Sequence, residues 1–167
     1  MATARHTLPN MTEVMGLRLA YRGFVTGLAG AYVWAAIAML LGAAIHGDAL
    51  RPLRPLAMAI TPIAESPELA FVLGLAAVQL GGALVGMCFA YFFARFFTVR
   101  ATLATAAPVV AVLAWALIAA GLARGLGVSV LATQLAPLLA TIGYGVLLGL
   151  GVPVRGEVTY PSGSPST

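Results

Sequence analysis

Charged residues are scarce in this chain: Asp, Glu, Lys and Arg make up 8% of its 167 residues, and lysine is absent. A typical soluble domain is about 25% charged and about 45–50% apolar, whereas this chain is 61% hydrophobic with a mean hydropathy of +1.00. So few charges do not cover the water-facing surface of a soluble fold. The composition excludes a soluble enzyme, a disordered tail and a nucleic-acid-binding domain, and it predicts an all-α integral membrane protein.

Groups that carry chemistry are equally few. Cys88 is the one cysteine, which excludes an internal disulfide, and it lies in an apolar run where it packs as a small hydrophobe. His6 and His46 lie on opposite sides of the first apolar run, so they do not form a haem-ligating pair. No phosphate-binding loop, zinc-ligand spacing or catalytic triad is present. We therefore expect no catalytic residues, no cofactor and no metal site.

His46 leaves one alternative open. The favoured interpretation is a solvated residue at the end of a helix, because glycine follows it. The alternative is a ligand for a pigment or a haem, or a contact to a quinone, in a membrane enzyme or redox carrier.

Four long apolar runs fill most of the chain, over residues 23–45, 69–95, 101–123 and 128–151. Each exceeds the roughly 20 residues that cross a bilayer core as a helix. Apart from Arg95 at the end of the second run, none contains a charged residue, and a charge at the bilayer centre costs at least about 2.5–3.5 kcal/mol. We predict four transmembrane helices in an up-down bundle.

Three segments surround or interrupt this membrane domain, which we place at residues 23–152. Residues 1–22 form an arm followed by a helix, which is either an interfacial helix or the cytoplasmic end of the first span. Residues 46–68 are rich in proline and predict a short interfacial helix or a loop packed against protein, since irregular backbone is not tolerated in lipid. Residues 153–167 form a polar tail.

The arginines predict the orientation in the membrane. With four spans, both termini lie on one face. That face carries six arginines, at positions 5, 18, 22, 95, 100 and 155, and the other carries three, at positions 51, 54 and 124. The positive-inside rule then puts both termini in the cytoplasm. We expect the inner membrane of a bacterial cell.

Small residues recur at intervals of four and predict close helix packing. The candidate positions are Gly23, Gly27 and Ala31 in the first run, Gly82, Gly86 and Ala90 in the second, and Gly145 and Gly149 in the fourth. They serve either packing within the bundle or contact with other subunits. Gln79 and Gln134 are the buried polar residues, explained by bonds between helices or by a narrow polar path.

The sequence favours one function and leaves another open. A non-catalytic, multi-pass accessory subunit of a larger membrane complex is favoured, one that converts energy in respiration or photosynthesis. Its partners would be the lipid bilayer and other membrane subunits, in a hetero-complex rather than a homo-oligomer, and no nucleic acid. The alternative is a small homo-oligomeric channel or transporter.

Overall fold

A computed structural model of the chain describes residues 11–61, 66–126 and 135–153. This part of the chain is almost entirely helical and contains no β-strand. Its helices are α1 (Met11–His46), α2 (Arg54–Ile60), α3 (Pro67–Cys88), α4 (Arg100–Leu126) and α5 (Leu135–Gly151). A π-helical turn (Phe89–Phe93) and a 3-10 turn (Ala94–Phe96) continue α3. The predicted all-α class is confirmed.

Three helical stretches are long and apolar enough to cross a membrane: Met15–His46, Pro67–Phe93 and Arg100–Gly121. They correspond to the first three predicted runs. The fourth run contributes α5, which is apolar but has 17 residues in the described part of the chain. Residues 128–134 of that run, with Gln134, lie outside the described residues.

The first helix is one continuous element of 36 residues. The predicted helix over residues 11–22 is the beginning of α1 and not a separate helix, so it continues directly into the first apolar run. No proline interrupts the chain between them, and Gly23, at the junction, is buried against α3. The helix ends at His46, and Gly47 takes a φ of 68° while its N–H bonds to Ala43 O at 2.9 Å. A glycine in this left-handed conformation is a common helix terminus.

The described part of the proline-rich connection contains a short helix, α2, that packs against α3, and residues 62–65 lie outside the described residues. Pro52, Leu53, Leu56 and Ala57 are buried, and a Cβ added at Gly74 of α3 would lie 2.8 Å from Leu53 Cβ. The turn before α2 is held by Asp48, whose carboxylate accepts from Leu50 N at 3.0 Å and pairs with Arg54 at 3.0 Å.

The long helices form an antiparallel bundle with α1 at its centre. Helix α1 packs extensively against α3 and α5, and α4 packs against α5. Helix α2 lies on α3. We call the end where α1 begins the amino-terminal end of the bundle, and the other the far end. Helices α3 and α4 make almost no contact with each other in the described part of the chain.

Two features close the amino-terminal end. The π-helical turn of α3 buries Phe89 and Ala90, while Tyr91, Phe92 and Phe93 are exposed. Arg100, at the start of α4, donates to Leu150 O of α5 at 2.7 Å. A cation at this position satisfies a terminal carbonyl and complements the negative end of the α5 dipole.

Candidate functional site

The interface between α1 and α3 is built from glycines that face each other. A Cβ added at Gly23 would overlap the backbone oxygen of Gly86, and one added at Gly27 would overlap that of Gly82. The Ala31 side chain continues this row, since its Cβ lies 2.6 Å from where a Cβ on Gly82 would be. The backbones of α1 and α3 therefore lie in direct contact at these positions, which is the close approach that small residues permit.

The interface between α4 and α5 uses the same device. A Cβ added at Gly145 would overlap Pro108 of α4, and one at Gly149 would lie 2.7 Å from Ala104 Cα. Pro108 removes one hydrogen bond from the α4 ladder, and the two α5 glycines lie beside this part of α4. The strips on α1, α3 and α5, with Ala90 beside Gly23, are thus occupied within the chain.

A buried polar chain joins α1 to α5 at mid-bundle. The indole N–H of Trp34 donates to Thr141 Oγ1 at 2.9 Å, and the same hydroxyl donates to Pro137 O at 2.8 Å. Trp34 and Thr141 are both buried. Each polar group therefore has a partner, as buried polar groups require.

A second polar contact joins α5 to α3. The hydroxyl of Tyr144 donates to Gly82 O at 2.6 Å, and its ring fills the space beside Gly30. Tyr144 was not among the residues predicted from the sequence. The signal was present, because a tyrosine inside an apolar helix needs an acceptor for its hydroxyl.

Gln79 of α3 is buried, with 9% of its surface exposed, and neither atom of its amide has a hydrogen-bond partner in the described part of the chain. It lies almost one turn from Gly82, the residue that contacts Gly27 of α1. A buried amide without partners costs free energy, of about 1–3 kcal/mol in protein mutational data. In the described part of the chain the Nε of Arg54 is the other buried side-chain group without a partner, so Gln79 is the unsatisfied residue within the long helices. Gln134 lies outside the described residues.

A cavity of about 110 Å³ lies between the helices and is open on one side. Its walls come from all five helices, with Leu56 of α2 nearest the far end. The α3 and α4 walls belong to helices that make almost no contact with each other in the described part of the chain, so direct packing between them does not close the cavity. The wall is mostly apolar and contains no charged side chain; it includes Trp34, Trp115, Thr141 and Tyr144.

Acid–base and metal-binding groups are not brought together in residues 11–61, 66–126 and 135–153. No group of three His, Cys, Asp or Glu residues there lies close enough to hold a metal ion. His46 and Cys88 are exposed, toward opposite ends of the bundle. What the geometry provides is a small apolar cavity whose two hydroxyl groups, on Thr141 and Tyr144, donate within the bundle.

Comparison of the chain with protein-family models, with curated proteins and with solved structures finds no match.

Proposed function

We propose that this chain is a non-catalytic, multi-pass subunit of a larger membrane complex, crossing the bilayer with α1, α3, α4 and α5. The observation that carries the proposal is the one-sided packing of α4. Within the described chain this long apolar helix packs extensively against α5 alone. The rest of its surface is left for lipid or for another protein.

The outward face of α4 suits a neighbouring helix. Leu113 and Leu117 are 59% and 75% exposed, and Ala116 and Ala120, four positions apart, are exposed too. Small residues at this spacing let a second helix approach, and packing of this kind drives association in lipid, where burial of apolar surface does not. The glycine strips of the other helices are already occupied inside the chain.

The distribution of charge supports an orientation with both termini in the cytoplasm of a bacterial cell. Arg18, Arg22 and Arg100 are exposed at the amino-terminal end of the bundle. With the arginines at positions 5, 95 and 155 of the sequence they would make six on that face, against three, at positions 51, 54 and 124, on the other. This asymmetry follows the positive-inside rule. Respiratory and photosynthetic complexes are the proposed class of partner, because they commonly contain small polytopic subunits without intramembrane charge.

Site-specific photo-crosslinking in intact membranes tests the proposal. A photoreactive side chain at Leu117 of α4 should give a crosslink to one defined membrane protein, and gentle extraction should recover the same protein with the chain. The matched control is Leu40 of α1, which is 71% exposed and should crosslink lipid only. A chain that extracts alone, with equal lipid adducts at both positions, contradicts the proposal.

One observation supports a different function, a small homo-oligomeric channel or transporter. Gln79 is a buried amide without partners near the middle of a spanning helix, and such a group is expected on a polar path. Reconstituted in liposomes, a channel would lose flux of its solute when Gln79→Leu removes the amide. Flux that survives this substitution would show that Gln79 is not needed for a polar path, and absence of any flux from the unaltered chain would contradict the channel.

A further inference from the structure

We infer that the cavity between α3 and α4 is a binding site for a neutral, lipid-soluble ring compound that carries a carbonyl, such as a quinone. Ligand binding in this cavity does not depend on whether the chain joins a larger complex, and no reaction of the ligand is proposed.

The position of the cavity determines how a ligand reaches it. The opening lies between two long apolar helices that barely touch, beside Gly81 of α3 and Ala114 of α4. A Cβ added at Gly81 meets nothing within 4 Å, so this wall faces empty space. In a bilayer such an opening faces lipid tails at mid-depth. A ligand therefore enters from the hydrocarbon, which excludes ionised and strongly hydrated compounds.

The aromatic wall of the cavity favours a flat ring. The cavity volume of about 110 Å³ is smaller than that of the ~150 Å³ apolar cavity that admits benzene, so a ring enters only in part and its substituents stay in the open side, toward the lipid. Trp34 and Trp115 line it with ring centroids 5.6 Å apart and planes tilted by 47°, and Tyr144 is a third aromatic wall. Aromatic faces of this kind stack on or pack edgewise against another ring.

The polar groups of the wall select a hydrogen-bond acceptor. The hydroxyls of Thr141 and Tyr144 donate to Pro137 O and Gly82 O, and the indole N–H of Trp34 donates to Thr141 Oγ1. The indole N–H of Trp115 makes no hydrogen bond to an acceptor within residues 11–61, 66–126 and 135–153, and it is not among the fully buried groups that lack a partner there, so it is open to the cavity or to the lipid. A carbonyl oxygen on the bound ring supplies that acceptor, and a saturated acyl tail does not.

The chain carries its own probe of occupancy. It has two tryptophans, and both line the cavity, so intrinsic fluorescence reports on this site alone. The full chain is placed in phosphatidylcholine nanodiscs and titrated with decylubiquinone, or with decylbenzene as the counterpart without a carbonyl. Bound decylubiquinone is counted in parallel by native mass spectrometry.

A pair of glycine variants separates binding in the cavity from collision in the bilayer. Gly81→Leu fills the open space in the cavity wall. Gly121→Leu is the control, because it adds the same side chain at a position of α4 that does not line the cavity and where a Cβ also meets nothing within 4 Å. We expect saturable quenching and one bound quinone in the unaltered chain and in Gly121→Leu, and loss of both in Gly81→Leu. Helix content and the thermal midpoint check folding, and Ala114→Leu, on the α4 wall of the same cavity, replaces Gly81→Leu with the same expected loss if the latter does not fold.

Trp115→Phe tests the carbonyl. It should weaken decylubiquinone binding about three- to tenfold, as expected for one neutral hydrogen bond, and leave decylbenzene binding unchanged. Non-saturable quenching that is equal in all variants overturns the site. Equal binding of decylbenzene and decylubiquinone, insensitive to Trp115→Phe, overturns the assignment of a carbonyl ligand and leaves a cavity filled by any lipid tail.

Discussion

The indole of Trp34 and the hydroxyl of Thr141 are joined by a 2.9 Å hydrogen bond across 107 positions of sequence. The bond ties the central helix α1 to α5 inside the bundle. Because both residues are buried, neither group has water as a substitute partner.

Thr141→Val should destabilise the chain by about 1–3 kcal/mol, because it leaves the Trp34 N–H buried without an acceptor. The free energy of unfolding is measured in mixed micelles with increasing SDS. Thr105→Val is the control: Thr105 is exposed and donates only within its own helix, to Ala101 O and Thr102 O. Its effect should stay within about 0.5 kcal/mol. In a Trp34→Phe background, Thr141→Val should cost less, and an unchanged cost would contradict the role of the bond.

Two adjacent glycines of α3 should respond in opposite ways to alanine. Gly82→Ala should destabilise by about 1–3 kcal/mol, because the new Cβ would lie 2.6 Å from Ala31 Cβ and 3.1 Å from Gly27 O. Gly81→Ala should be neutral or stabilising by up to about 1 kcal/mol, since alanine favours the helix and meets nothing within 4 Å. The same unfolding assay compares them, and similar losses for both variants would refute the α1–α3 packing described above.

Tyr144→Phe should cost about 0.5–1.5 kcal/mol, the net contribution of one hydrogen bond. The loss is smaller than for Thr141→Val because removing this hydroxyl leaves no donor without a partner. Tyr32→Phe, at a position 58% exposed, should have almost no effect. If both variants unfold with the unaltered free energy, the 2.6 Å contact to Gly82 O contributes nothing to stability.

Gln79→Met should leave the stability unchanged or raise it, by up to about 1–3 kcal/mol. Methionine has a similar shape, and it removes an amide that is buried without partners in the described part of the chain. Gln79→Glu, measured beside it, should destabilise because it places an acidic group at the same depth. A clear loss of stability in Gln79→Met would show that the amide is satisfied, for example by an ordered water.

Hydropathy predicted the apolar helices well because a segment that crosses hydrocarbon needs about 20 apolar residues and satisfies its backbone groups as a helix. The runs over residues 23–45 and 101–123 lie within α1 and α4, which extend beyond them at one or both ends. The spacing of small residues marked the positions where backbones approach. The sequence did not predict which strips face each other, because a strip of small residues on one helix can pack against a strip on any other helix.

Other features were beyond the sequence for physical reasons. The π-helical turn at Phe89–Phe93 has no distinctive sequence, because its aromatic residues fit an α-helix equally well. The cavity exists because the described parts of α3 and α4 make almost no contact with each other, and no sequence pattern predicts such a gap. Tyr144 was detectable in principle, but its acceptor is a backbone carbonyl, Gly82 O, which carries no sequence signature.

The 36 residues of α1 correspond to a rod of about 54 Å at 1.5 Å per residue, whereas the hydrocarbon layer is about 30 Å thick. An ordinary tilt of about 20° shortens the projection by only a few ångströms. In the proposed membrane orientation some turns of α1 therefore lie among the phosphates and in water, near Arg18 and Arg22. The uncharged part of α1, residues 23–45, is about 34 Å long at the same rise, so Arg22 would lie at the edge of the hydrocarbon and fix the depth at which the helix sits.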